Sequence, residues 1–194
     1  IYTCKLNNVS NKSTFDIINK EEKTDKKLSV SVAFSLIKEQ KLNYLLQKTT
    51  ELGVNKLIPI ETKRSVVKIE GNKEKTKIDR WKKICKEASE QSFRADIPEI
   101  SSILTLKNLV NLDYDLKLVC SLNKNTKNIK KILEKNNKCV KILLVVGPEG
   151  GFDPLEEEYL LENGFKSVSL GENVLRAETA PVVALSMINY EFMR

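Results

Sequence analysis

Residues 139–180 read CVKILLVVGPEGGFDPLEEEYLLENGFKSVSLGENVLRAETA, and this stretch decides the fold. It opens on a continuous apolar run, residues 139–146, of the kind a strand carries when both faces of a parallel sheet are covered. The glycines from Gly147 to Gly151 interrupt it. Asp153, Pro154 and Glu156 then supply an N-cap, an N1 proline and an N3 acid, which together start a helix. Gly164 ends that helix, and residues 165–170 form the next short strand. After the segment 171–180, residues 181–192 read as a helix that is apolar nearly all round. Strands alternating with helices predict an α/β fold, a mainly parallel sheet flanked by helices.

Working outward, residues 28–36 are an apolar run consistent with a buried strand. Residues 38–52 follow as a helix, with Leu42, Leu45, Leu46, Thr49 and Leu52 on one face and Gly53 just beyond its end. Residues 54–60 read as a short strand in which Pro59 marks an edge or an end. A second helix spans 73–92, with Ile78, Trp81, Cys85 and Ala88 along one stripe and Lys75, Lys82, Lys83 and Lys86 opposite. Those lysines are either a solvated face or part of an RNA-facing surface. Residues 116–121 are another strand and 126–136 a polar helix. Ahead of all this, 1–6 and 13–18 are strand-like pieces, and 19–27 reads as a charged linker or exposed turn.

Composition removes several mechanisms. The 194 residues contain no histidine, which excludes a Ser-His-Asp triad, a Cys-His pair and a histidine general base. The cysteines Cys4, Cys85, Cys120 and Cys139 form no C-x-x-C pair, so no zinc set is expected. Cys120 and Cys139 sit in apolar runs and read as small hydrophobes in a reduced, cytoplasmic protein. No apolar run approaches the ~20 residues needed to span a bilayer. Net charge is +7, and residues 1–100 hold 21 Lys and Arg against 14 Asp and Glu, whereas 101–194 hold 12 of each. A basic half joined to a neutral half suggests that one half meets a polyanion. Compositional drift toward lysine explains the charge equally well.

Two loops carry chemistry, Gly147-Pro148-Glu149-Gly150-Gly151 and residues 170–180, each following a strand. Ligands of open α/β sheets bind outside the carboxyl ends of the strands, where both loops fall. Glycines there let the backbone approach a flat ligand. The first loop lacks the Gly-Lys-Ser/Thr ending of a P-loop and is not G-x-G-x-x-G. The second is long, mixes apolar and charged residues and leads into a buried helix, unlike a solvated connection.

GPEGGF at 147–152 followed by LGENVLRAETA at 170–180 resembles the two C-terminal signatures of the SPOUT, or trefoil-knot, RNA methyltransferases. Within them the chain is similar to the uracil-(N-3)-methyltransferase family of small-subunit (16S) ribosomal RNA. LLQKTTELGVNKLIPIETKRSVV at 45–67 and RWKKICKEASEQSFRADIPEI at 80–100 agree with it. The resemblance implies a C-terminal trefoil knot over a methyltransferase domain at 28–194, with 1–27 the remnant of a PUA-like β-barrel and its linker. It also implies S-adenosyl-L-methionine as cofactor, ribosomal RNA of the small subunit as partner, a homodimer, and no metal. Gly147, Glu149, Gly150, Gly151, Leu170, Gly171, Leu175, Thr179 and Ala180 are then expected to hold the cofactor, structural turns being the competing reading. Arg176 is expected to hold the uracil oxygens or an RNA phosphate, against a plain salt bridge to Glu172 or Glu178. Glu178 is a candidate proton acceptor, or only orients the loop. Arg64, Gln91 and Arg94 are expected to face RNA. A relative with another target nucleotide and a non-catalytic RNA-binding scaffold are the alternatives.

Overall fold

The computed structural model describes residues 2–9, 12–20, 28–123 and 126–192. Positions 21–27 of the expected linker lie outside them. Strands β1 (Tyr2–Asn8) and β2 (Thr14–Lys20) form an antiparallel two-stranded sheet of their own. The main sheet starts with β3 (Ser29–Ser35), followed by helix α1 (Glu39–Glu51), β4 (Lys56–Ile60), α2 (Gly71–Gln91), β5 (Glu99–Ile100) and α3 (Leu106–Val110). The chain continues through β6 (Leu116–Cys120), β7 (Lys127–Asn128), α4 (Ile129–Lys135), β8 (Lys141–Val146), α5 (Pro154–Glu162), β9 (Lys166–Ser169) and α6 (Ala180–Phe192). Seven strands pair in the order β5-β4-β3-β8-β6-β9-β7, every pair parallel.

Strand β8 is the centre, hydrogen-bonded to β3 on one side and β6 on the other. Its side chains alternate between two separate apolar layers. Ile142, Leu144 and Val146 join the layer containing Phe34, Leu45, Trp81 and Ile188. Leu143 and Val145 join the layer containing Ile58, Leu109, Leu160 and Phe165. A strand with helices on both faces has no polar side, which is why its sequence does not alternate. Asp115 accepts the N–H groups of Val140 (2.9 Å) and Lys141 (2.8 Å) and so fixes where β8 begins. Those two N–H groups hold the Asp115 carboxyl below its usual range.

Three expectations change. The helix placed at 126–136 occupies only Ile129–Lys135, because Lys127 and Asn128 pair with β9 and the Asn128 side chain caps Lys130. The short elements β5 and α3 carry no periodicity long enough to read. Helix α6 is not covered all round: it buries Ala184, Leu185 and Ile188, while Tyr190 is 81% exposed. Among the described residues no helix is long and apolar enough to cross a membrane.

Truncating the central strand tests this account. Leu144→Ala should lower stability by about 2–5 kcal/mol in urea unfolding, since it empties a fully buried site. Leu155→Ala, on the exposed face of α5, should stay within about 0.5 kcal/mol of the parent.

Candidate active site

The chain leaves β8 at Gly147, where a side chain has no room. A Cβ there would lie 3.1 Å from the ring of Phe152, which is buried in one of the two layers. Gly151 turns the backbone with φ at 69°. Asp153 then caps α5 through the Leu155 N–H, and Glu156 reaches back to the Asp153 N–H at 3.2 Å, completing the capping box. The loop after β4 is fastened to this corner. The Lys63 N–H donates to Glu156 at 2.8 Å, the Lys63 ammonium to Asp153 at 3.3 Å, and the Arg64 guanidinium to the Gly150 carbonyl at 3.1 Å. Burial alone would raise the Asp153 carboxyl, but the Leu155 N–H, Lys63 and Arg64 together hold it below its usual range.

The second loop folds beside the first. Gly171 has φ at 143°, and its N–H donates to the Ser169 hydroxyl, which in turn donates to the Gly171 carbonyl. The N–H groups of Thr179 and Ala180 both donate to the Arg176 carbonyl at 2.9 Å, turning the chain into α6. Between the loops lies a cavity of about 470 Å³, within the range of small-molecule sites. Its third wall is the segment following β6, residues 120–123.

Of the residues expected around a ligand, Gly147, Glu149, Gly150 and Gly151 line this cavity from one side. Leu170, Gly171, Leu175 and Ala180 line it from the other, with Arg176 beside them. Arg64 lines it as well, so a residue expected on an RNA surface stands at the rim of the ligand site. Glu149 pairs with Lys41 of α1 at 3.1 Å. Burial opposes ionisation of Glu149, but its own N–H, Lys41 and Lys38 outweigh it, and the carboxyl sits below its usual range. Arg176 is exposed and, among the described residues, makes no ion pair, so the salt bridge to Glu172 or Glu178 does not form.

Three residues depart from expectation. Thr179 is half-buried at the turn into α6 and is absent from the cavity wall. Glu178 is buried and also off the wall, with one carboxylate oxygen lacking a partner among the described residues, so it does not face a ligand in the cavity. Arg94 turns inward, its side chain 7% exposed. It donates to the carbonyls of Thr50 (2.6 Å) and Val54 (2.9 Å) and to Asp96, fastening the end of α2 to the end of α1. Its neighbour Gln91 remains exposed. The lysines of α2 stand on its solvent face as expected, but Lys82, Lys83 and Lys86 lie 3.7–4.0 Å from Asp79, Glu87 and Glu90, which nearly cancels the charge of that face.

The sequence reading missed Cys120, Ser121, Leu122, Asn123 and Glu157, all on the cavity wall. Ser121 donates to the Glu157 carboxylate, which is buried on α5. Burial pushes the Cys120 thiol up to about 12, so it contributes bulk and no nucleophile. The available signal was the strand order: β6 ends beside β8, so the segment after it must reach the same edge.

Fold and site together define a class. A family model described as RNA methyltransferase domain matches residues 24–189. Ribosomal RNA small subunit methyltransferase E of Bacillus subtilis is 36% identical over 197 residues, which cover 97% of this chain and 77% of that relative. The enzyme of the same name from Neisseria gonorrhoeae, solved bound to S-adenosyl methionine, has a TM-score of 0.86 at 28% identity and covers 97% of this chain, which in turn spans 78% of it. A Legionella pneumophila protein solved with the bound cofactor SAM has a TM-score of 0.87 at 31% identity, with coverage of 97% and 78%. The chain belongs to the ribosomal RNA small subunit methyltransferase E family.

The two flanking glycines should separate packing from open space. Gly147→Ala forces the Phe152 ring to move and should cost about 1–3 kcal/mol of stability. Gly150→Ala, whose Cβ would meet only Arg64 at 3.9 Å, should melt with the parent. Thermal unfolding of the two variants checks the difference.

Proposed function

We propose that this chain methylates N-3 of a uracil in small-subunit (16S) ribosomal RNA, taking the methyl group from S-adenosylmethionine. That it is an S-adenosylmethionine-dependent ribosomal RNA methyltransferase follows from its family. The uracil position is what segments 45–67 and 80–100 imply by resemblance. One observation carries the reading: two loops 20 residues apart, each expected to touch the cofactor, close on a single cavity. The residues suit the cofactor. Glycines at positive φ leave backbone groups bare, and Leu170 and Leu175 offer an apolar slot for adenine.

The bound cofactor supplies a methyl group already activated on a sulfonium. The chain's own work is to hold both partners in line and to steady the charge that grows on uracil as its imide proton leaves. Arg176 is placed for the second task, exposed at the cavity mouth with its guanidinium unpaired among the described residues. Glu178 lies off the wall, so in this reading the proton leaves to solvent at the mouth. RNA approaches over the carboxyl edge of the sheet, where Lys38 follows β3 and Lys63, Arg64 and Lys68 follow β4, all exposed. Gln91 adds a polar contact further along α2.

The proposal extends to architecture. Residues 28–194 form the methyltransferase domain, its C-terminal loops tied in a trefoil knot that bends the cofactor. Two copies associate, and the uncovered side of α6 with Tyr190 suits such a contact. The β1–β2 hairpin belongs to a PUA-like barrel, a reading supported by Tyr2, Leu6, Phe15 and Ile17, all more than half exposed along it.

Arg176→Ala should lower methyl transfer roughly a hundredfold, as removal of one charge-stabilising donor does. Cofactor affinity should be unchanged, and Arg176→Lys should rescue poorly because a point charge lacks the planar fork. Turnover, calorimetry and mapping of the methylated nucleoside measure this. An active Arg176→Ala protein, or a product other than N-3-methyluridine, contradicts the proposal.

Charge reversal at Lys38 and Lys68 should weaken RNA binding and flatten its salt dependence by about two phosphate contacts. Reversal at Lys82 and Lys86 should do much less. Salt titrations of an RNA fragment on both double variants rank the two surfaces.

A further inference from the structure

Glu157 stands in the second turn of α5, 9% exposed, on the cavity wall. The Ser121 hydroxyl donates to its carboxylate and itself accepts the Asn123 N–H at 3.0 Å, so both residues are fixed by the segment after β6. The cavity's other carboxylate, Glu149, is neutralised by Lys41 at 3.1 Å. Glu157 has no such cation among the described residues. A buried carboxylate with only neutral partners is costly unless an occupant compensates it. Its field acts across a cavity from which most water is displaced once a ligand enters, where a charge counts for more than in bulk solvent.

The cofactor carries a sulfonium charge that disappears when the methyl group leaves; S-adenosylhomocysteine has lost it. We propose that Glu157 is the residue by which this cavity prefers the charged cofactor over its spent form. Methyl transfer then weakens the hold on the product and favours exchange. The proposal rests on the cavity being the cofactor site. Ser121 is a positioning residue in it, orienting the carboxylate without touching the ligand.

Calorimetric titration with S-adenosylmethionine and S-adenosylhomocysteine tests the idea on three proteins. Glu157→Gln keeps an acceptor for Ser121 and removes only the charge. It should bind S-adenosylmethionine roughly tenfold more weakly and S-adenosylhomocysteine within about twofold of the parent, the scale of one unscreened charge at moderate distance. Equal losses for both ligands, or no loss for the first, overturn the proposal. Should Glu157→Gln melt early, Glu157→Asp carries the comparison: it keeps the charge and should keep the parent's preference, and losing it overturns the proposal equally. Gly150→Val tests the underlying reading, since it narrows the cavity floor without meeting other groups closely. If the parent binds neither ligand, or Gly150→Val binds both like the parent, the cofactor site itself is misplaced, and the proposal falls with it.

Discussion

Strand β8 meets no water on either face, and the rest of the molecule is arranged around that constraint. A strand buried on both sides can end only where the chain escapes the sheet, and it escapes here at Gly147 because Phe152 fills the space a side chain would need. The turn delivers Asp153 to the start of α5. The same corner gives Lys63 and Arg64 their partners and thereby anchors the loop after β4. One packing requirement thus sets the position of the cavity floor, its rim arginine and the helix that carries Glu157.

Parallel order does the remaining assembly. Because β3, β4, β6, β8 and β9 all run the same way, the segments leaving their carboxyl ends share one edge. The loop rich in glycine, the loop before α6 and the segment after β6 are distant in sequence yet meet there. The exposed lysines that follow β3 and β4 occupy the same edge. The lysines of α2, by contrast, are balanced by acids one turn away. Charge therefore gathers where chemistry gathers, and the count of basic residues in the first half of the chain conceals that division.

Legibility in the sequence followed the length of the signal. The run 139–146 could be read because two-sided burial leaves an unbroken apolar stretch, and Asp153-Pro154-Glu156 because a capping box has fixed spacing. Strand β7 could not be read: two residues borrow their pairing from β9, which lies far ahead in the chain. Arg94 looked like a surface arginine because its composition and neighbours are polar, whereas its fork is consumed by two carbonyls at the end of α1. Ser121 and Glu157 were invisible for a related reason. They stand 36 residues apart and acquire meaning only when β6 and β8 pair. The loop glycines and Arg176 were found through resemblance, and bottom-up reasoning alone would have left a tight turn and a salt bridge as equal readings.

The account's central claim is that residues 120–123, 147–151 and 170–180 form one cofactor site. Backbone amide shifts in a nuclear magnetic resonance titration with S-adenosylmethionine test it most directly. The account predicts saturable changes concentrated in those three segments and in Glu157, with the solvent face of α2 undisturbed. Changes centred instead on the groove between α1 and α2 around Trp81, with the three segments silent, would contradict it.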